Sequence, residues 1–103
     1  MKLTELAKTI RSKNAGVDKI TFDIIFRDEV TYRKVLDSGK INREAVCALY
    51  KIKPEILTDF VFYDPAFAIK FTMLRDRPSG SPGDPDIFGA QQYAPLLDID
   101  IPV

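Results

Sequence analysis

Ile20-Thr21-Phe22-Asp23-Ile24-Ile25-Phe26 puts Ile20, Phe22, Ile24 and Phe26 on one side of an extended chain, and Thr21, Asp23 and Ile25 on the other. Period-two alternation of this kind describes a β-strand with one well-buried face and one mixed face. The rest of the chain must supply what that buried face packs on. Downstream, Asp28 is placed to cap a helix whose buried side carries Tyr32, Val35 and Leu36, and Ser38-Gly39 ends it. Asn42 caps a further helix with Val46, Leu49 and Tyr50 along its apolar stripe. Ile41 before that cap and Val46 inside the helix have the spacing of a hydrophobic staple. Pro54 stops this helix or opens a short extra turn. Residues 57–63 and 68–74 then read as two strands, the second with Ile69, Phe71 and Met73 on one face. Asp64-Pro65 between them marks the turn of a tight antiparallel hairpin.

Upstream, Leu3, Leu6, Ala7 and Ile10 recur at helical spacing, which predicts a helix over residues 4–13, with Thr4 as its cap and Asn14 and Gly16 at its end. Leu97, Ile99 and Ile101 alternate with Asp98 and Asp100, which predicts a last strand. Two helices between the first two strands allow a right-handed parallel crossover. The expected fold is a single α+β domain over residues 1–103. It is a two-layer sandwich with a ferredoxin-like mixed sheet, helices on one face and an extended C-terminal arm.

Composition narrows the function classes. Fifteen Lys plus Arg balance fifteen Asp plus Glu, so the formal net charge is zero. That argues against nucleic-acid binding and against a polybasic membrane anchor. It also leaves little repulsion between copies of the chain. The sequence has no His and one Cys, Cys47, which sits in an apolar helical stretch and reads as a small hydrophobe. No imidazole is present to activate that thiol or to bind zinc, and no metal or cofactor is expected. No apolar run reaches spanning length and no signal peptide is evident, so the expected location is cytoplasmic. A chain of 103 residues has little room for a deep pocket. Small proteins of this kind often complete their sites at a subunit interface.

Residues 76–95 do not fit a plain core. The stretch holds Pro78, Pro82, Pro85 and Pro95 with Gly80, Gly83 and Gly89, then the apolar Ile87, Phe88 and Tyr93. Glycine-rich early and aromatic late, it reads as an arm that orders against another polypeptide or another copy of this chain. Disorder, or packing on its own domain, is the competing reading. Ser79 and Ser81 beside Gly80 and Gly83 could cradle an anion through hydroxyls and backbone N–H groups, although the spacing is not that of a P-loop.

Arg11-Ser12-Lys13-Asn14-Ala15-Gly16 is the second polar constellation. It has the residue types of an ordinary helix C-terminus. It also has those of a carboxylate- or phosphate-binding corner, with charge from Arg11 and Lys13, neutral donors from Ser12 and Asn14, and Asp23 on the next strand facing the same corner. Asp59, Tyr63 and Asp64 form a third possible group near the hairpin. Asp98 and Asp100 read as the solvated face of a strand rather than as metal ligands.

Taken together, Arg11 to Gly16, Phe22 to Phe26, Tyr63-Asp64-Pro65-Ala66, Ser79 to Asp84 and Gly89-Ala90-Gln91-Gln92-Tyr93-Ala94-Pro95-Leu96-Leu97-Asp98 resemble a bacterial family of small proteins long labelled as of unknown function. The resemblance covers nearly the whole chain. That family is associated with proteins of the acyclic-terpene-utilisation A type, which carry or pair with a small ferredoxin-fold domain. The small domain opens with an Arg-Ser-Gly-Asp-Lys-Gly-like turn. Arg11, Ser12 and Gly16 match that turn in type and order; Lys13, Asn14 and Ala15 do not.

The resemblance implies a small subunit working beside a larger catabolic protein on acyl-CoA thioesters or branched carboxylic acids. Arg11, Ser12, Lys13, Asn14, Gly16, Ser79 and Ser81 would bind the anionic substrate. Asp84, Phe88, Gln91, Gln92 and Tyr93 would dock on the larger protein. Two rival readings stand beside it. One is a stand-alone lyase or hydratase on a carboxylic acid, using Lys13, Asp23, Tyr63 or Asp64 as acid–base groups. The other is a homo-oligomeric small-molecule binding module.

Overall fold

The computed structural model describes residues 1–16, 18–74, 96–97 and 99–102. The elements run α1 (Leu3–Leu6), β1 (Ala7–Asn14), β2 (Lys19–Phe26), α2 (Glu29–Ser38), α3 (Arg43–Tyr50), β3 (Leu57–Tyr63) and β4 (Ala68–Leu74). Short 3-10 turns at Pro54–Ile56 and Asp64–Ala66 lead into β3 and link it to β4. The four strands form one sheet in the order β1-β2-β4-β3.

β2 and β4 occupy the centre of the sheet because they are the most continuously apolar segments. Ile20, Phe22, Ile24 and Phe26 of β2 and Ile69, Phe71 and Met73 of β4 are all buried on one face. Their register places Phe22 opposite Phe71 and Phe71 opposite Phe60. The rings stack at 4.6 Å and 5.9 Å between centroids. Each such contact adds about 0.5–1.5 kcal/mol beyond the area it buries.

The two longer helices cover this face. Asp28 Oδ1 accepts the Thr31 N–H at 2.8 Å, and Gly39 closes α2 in the left-handed region at φ 68°. Asn42 Oδ1 accepts the Ala45 N–H at 2.8 Å, and Lys51 closes α3 at φ 56°. Tyr32, Val35 and Val46 are buried against the sheet, and Tyr50 tilts against Phe22 at 5.4 Å. Ile41 and Val46 both enter the core, as the staple spacing predicts. Arg43 Nη2 donates to the Leu57 carbonyl at 3.0 Å and ties α3 to the start of β3.

Three expectations are corrected. The predicted helix over 4–13 is one turn of helix followed by a strand, and Lys2, not Thr4, precedes it. Leu3 and Leu6 use the helical spacing; beyond them the chain is captured by the edge of β2. A bulge at Lys8 shifts the register between Ala7 and Thr9, so Ala7 and Ile10 reach the same face although they lie three apart.

The sheet is antiparallel throughout, not mixed. β2 and β3 do run in the same direction, with β4 between them, so the α2–α3 connection closes a split βαβ unit. The second helix and last strand of the ferredoxin βαββαβ pattern are not found among the described residues, so the fold is α+β without being strictly ferredoxin-like.

The predicted C-terminal strand is reduced to an isolated antiparallel bridge between Lys2 and Asp100. The segment is nonetheless anchored: Leu96 and Ile101 are fully buried, Leu3 N–H donates to the Ile99 carbonyl and Ile101 N–H to the Met1 carbonyl, both at 2.7 Å. The arm predicted over 76–95 lies outside the described residues.

Candidate functional site

The face of the sheet opposite the helices carries the candidates Arg11, Lys13, Asp23 and Tyr63, with Lys70 among them. Register sets them in rows: Lys13, Thr21, Thr72 and Asp59 in one, Arg11, Asp23, Lys70 and Val61 in the next, Thr9, Ile25, Ala68 and Tyr63 in the third. Thr21 and Thr72 bond hydroxyl to hydroxyl at 3.1 Å.

Asp23 stands at the middle of this face and is only 4% exposed. Arg11 Nε donates to its Oδ2 at 3.0 Å, and Lys70 Nζ lies 3.7 Å from its Oδ1. Oδ1 has no hydrogen-bond partner. A buried carboxylate costs several kcal/mol in lost hydration unless cations and donors replace water. Here the two cations replace it incompletely. Lys70 is shared, because its ammonium also lies 5.3 Å from the centroid of the Tyr63 ring. Since Arg11 uses Nε on Asp23, its terminal amino groups are not committed to that bond. The row Arg11-Asp23-Lys70 therefore presents one net positive charge around a fixed carboxylate. Such an arrangement can hold a carboxylate or phosphate and orient it against Asp23.

The predicted corner at Arg11 to Gly16 is divided by this geometry. It is the end of a strand and a turn, not a helix C-terminus. Arg11 and Lys13 lie on the open face. Ser12 is buried on the helix side, in the row of Phe22 and Phe71, and Asn14 follows it there. Gly16, at φ 108°, belongs to the turn into β2, where Ala15 N–H donates to the Lys19 carbonyl at 3.0 Å. Asp23 does face Arg11, as expected. Ser79, Ser81, Asp84, Phe88, Gln91, Gln92 and Tyr93 lie outside the described residues.

Tyr63 and Asp64 also part company. Tyr63 is on the open face beside Lys70, whereas Asp64 turns to α2. There Asp64 Oδ1 accepts the Tyr32 hydroxyl at 2.6 Å, and Oδ2 lies 3.6 Å from Arg33 Nη2. Burial of the ring, then the hydrogen bond and charge of Asp64, push the Tyr32 phenol up to about 12. Its proton is held by Asp64 in a structural bond that ties the hairpin to the helix. The proposed acid–base candidates Lys13, Asp23, Tyr63 and Asp64 are thus not gathered into one group.

Lys70 was missed by sequence reading, and Tyr32 was read as a core residue without its bond to Asp64. Lys70 did carry a signal, as the sole charge in its strand, placed to meet the sole charge within Ile20–Phe26. A shallow depression lined by Lys34, Asp37, Ser38 and Pro102 holds none of the candidates. Among the described residues no cluster of three or more His, Cys, Asp or Glu is placed to hold a metal ion.

The family model described as "Domain of unknown function (DUF4387)" matches residues 3–100. This chain belongs to that family. No curated protein and no solved structure matches it. For this DUF4387 domain the Arg11-Asp23-Lys70 row is the most chemically specific feature among the described residues. No described helix is long and apolar enough to cross a membrane.

Proposed function

We propose that this chain is a small accessory subunit that completes an active site on a larger catabolic protein of the acyclic-terpene-utilisation A type. The Arg11-Asp23-Lys70 face holds the anionic part of the substrate, a branched carboxylic acid or its acyl-CoA thioester, while the larger protein supplies the reacting groups. Residues 79–95 provide contacts to that protein.

One observation carries the reading: Asp23 is buried in a central strand, on the face without helices, between two cations that leave one of its oxygens without a hydrogen bond. A fold that needed only stability would place Thr or Val there. A carboxylate held in this way fixes the directions of Arg11 and Lys70, which suits recognition of a planar anion.

The test is native mass spectrometry of the untagged chain purified from its own host, followed by assay of the complex. The expected result is a stable complex with one larger protein that persists in Arg11→Ala while substrate use falls. A chain recovered alone, or an Arg11→Ala complex with full activity, refutes the reading.

A further inference from the structure

The two edges of the sheet are built differently. β1, at one edge, carries Lys8, Arg11 and Lys13 and a bulge at Lys8. Charges and bulges are the usual means of blocking an edge against further pairing. β3, at the other edge, has a register shift of the same kind between Leu57 and Asp59, but the run Phe60-Val61-Phe62-Tyr63 beyond it has no charge, proline or bulge. Val61, Phe62 and Tyr63 are 51%, 44% and 46% exposed. Among the described residues no strand pairs with the outer side of this run, which also carries a band of partly exposed aromatic side chains.

We propose that β3 pairs antiparallel with β3 of a second copy of this chain, about a two-fold axis at Val61, to form a continuous sheet through both subunits. The strand is complementary to itself in this register. Val61 meets Val61 of the partner subunit, and Phe60 meets Phe62 of the partner subunit. This extends the Phe60–Phe62 edge contact, whose rings already lie 5.3 Å apart. Asp59 of the partner subunit comes opposite Tyr63, on the open face where Lys70 sits over the Tyr63 ring. Negative charge therefore arrives beside a cation whose other partner is Asp23.

The two Asp59 carboxylates lie four residues apart along the sheet, about 13 Å, beyond the Debye length at physiological salt. Zero formal net charge means that the copies do not repel as wholes. An edge of seven residues buries less than a standard interface, so the pairing is expected to be weak and dependent on concentration.

The experiment is sedimentation velocity of the full chain over a wide range of concentration, with Val61→Lys compared. Wild type is expected to pass from monomer to dimer. Val61→Lys, which sets two like charges face to face, is expected to weaken the dimer about tenfold or more. A second test uses Val61→Cys in a Cys47→Ser background under mild oxidation. Residues opposed across an antiparallel pair have Cα atoms about 4.5–5.5 Å apart, within disulfide reach, so a covalent dimer is expected. Thr58→Cys in the same background is expected to give none. Wild type that stays monomeric overturns the proposal and leaves the edge to a strand of another protein. A dimer indifferent to Val61→Lys, with Val61→Cys failing to cross-link, overturns it as well.

Discussion

Replacing Arg11 by Ala tests whether Asp23 is as dependent on its cations as its burial requires. Breaking a fully buried pair by removing one partner costs about 3–5 kcal/mol, and losing an exposed pair costs about 0–1 kcal/mol. Asp23 is the buried member, with a side chain 6% exposed, while the Arg11 side chain is 57% exposed and Lys70 remains 3.7 Å away. The expected cost of Arg11→Ala lies between those limits, about 1–2 kcal/mol. In an Asp23→Val background the same change is expected to cost about zero, since no buried charge is left to strand. Asp23→Val alone is expected to stay within about 1 kcal/mol of wild type, because lost pairing is offset by relieved desolvation and a better strand residue. Urea unfolding of the four proteins at neutral pH gives the coupling directly, provided that the m-value is unchanged. In thermal melts each kcal/mol corresponds to about 4–8 °C for a domain of this size. An equal cost of Arg11→Ala in both backgrounds would show that Asp23 does not need Arg11, and would refute the account of the site.

Tyr32→Phe removes the 2.6 Å bond to Asp64 and is expected to destabilise by about 1–2 kcal/mol, read by urea unfolding. The folded-state value of Tyr32 is raised to about 12 from 10.0, so its contribution is complete below pH 10 and lost as pH rises toward 12. Wild type should therefore lose stability across that window, and Tyr32→Phe should lose less. Asn42→Ala removes the acceptor for the Ala45 N–H and is expected to cost about 1 kcal/mol, checked by the same unfolding assay. Gly39→Ala meets no atom within 4 Å but must hold φ 68°, so a backbone cost of about 1 kcal/mol is expected in thermal melts.

The segments whose structure is set by their own residues could be read in advance. β3 and β4 begin and end at the bounds expected from their apolar, aromatic-rich runs, and the caps Asp28, Gly39 and Asn42 behave as their chemistry requires. β1 could not be read in this way. Its residues Lys8, Thr9, Arg11, Ser12 and Lys13 do not alternate in polarity, and it is extended because β2 offers it a hydrogen-bonding edge. The same tertiary cause hid Lys70. Arg11 and Asp23 could be expected to face one another, but Lys70 joins them only because the β2–β4 register places it in the same row. Ser12 is parted from Arg11 and Lys13 for the converse reason: a strand, unlike the end of a helix, sends neighbours to opposite faces.

Lys70 joins the two proposals physically. Its ammonium stands between the Asp23 carboxylate on one side and the Tyr63 ring on the other. An anion held by both Arg11 and Lys70 would compete with Asp23 for that cation. A second copy pairing along β3 would bring Asp59 of the partner subunit to its other side. Both events act on one charge, so the free energy of one must depend on the other, and equally in both directions. A charge left partly uncompensated in a central strand is a poor device for stability, where a threonine would serve. It is a suitable device for a surface whose binding events are meant to sense one another.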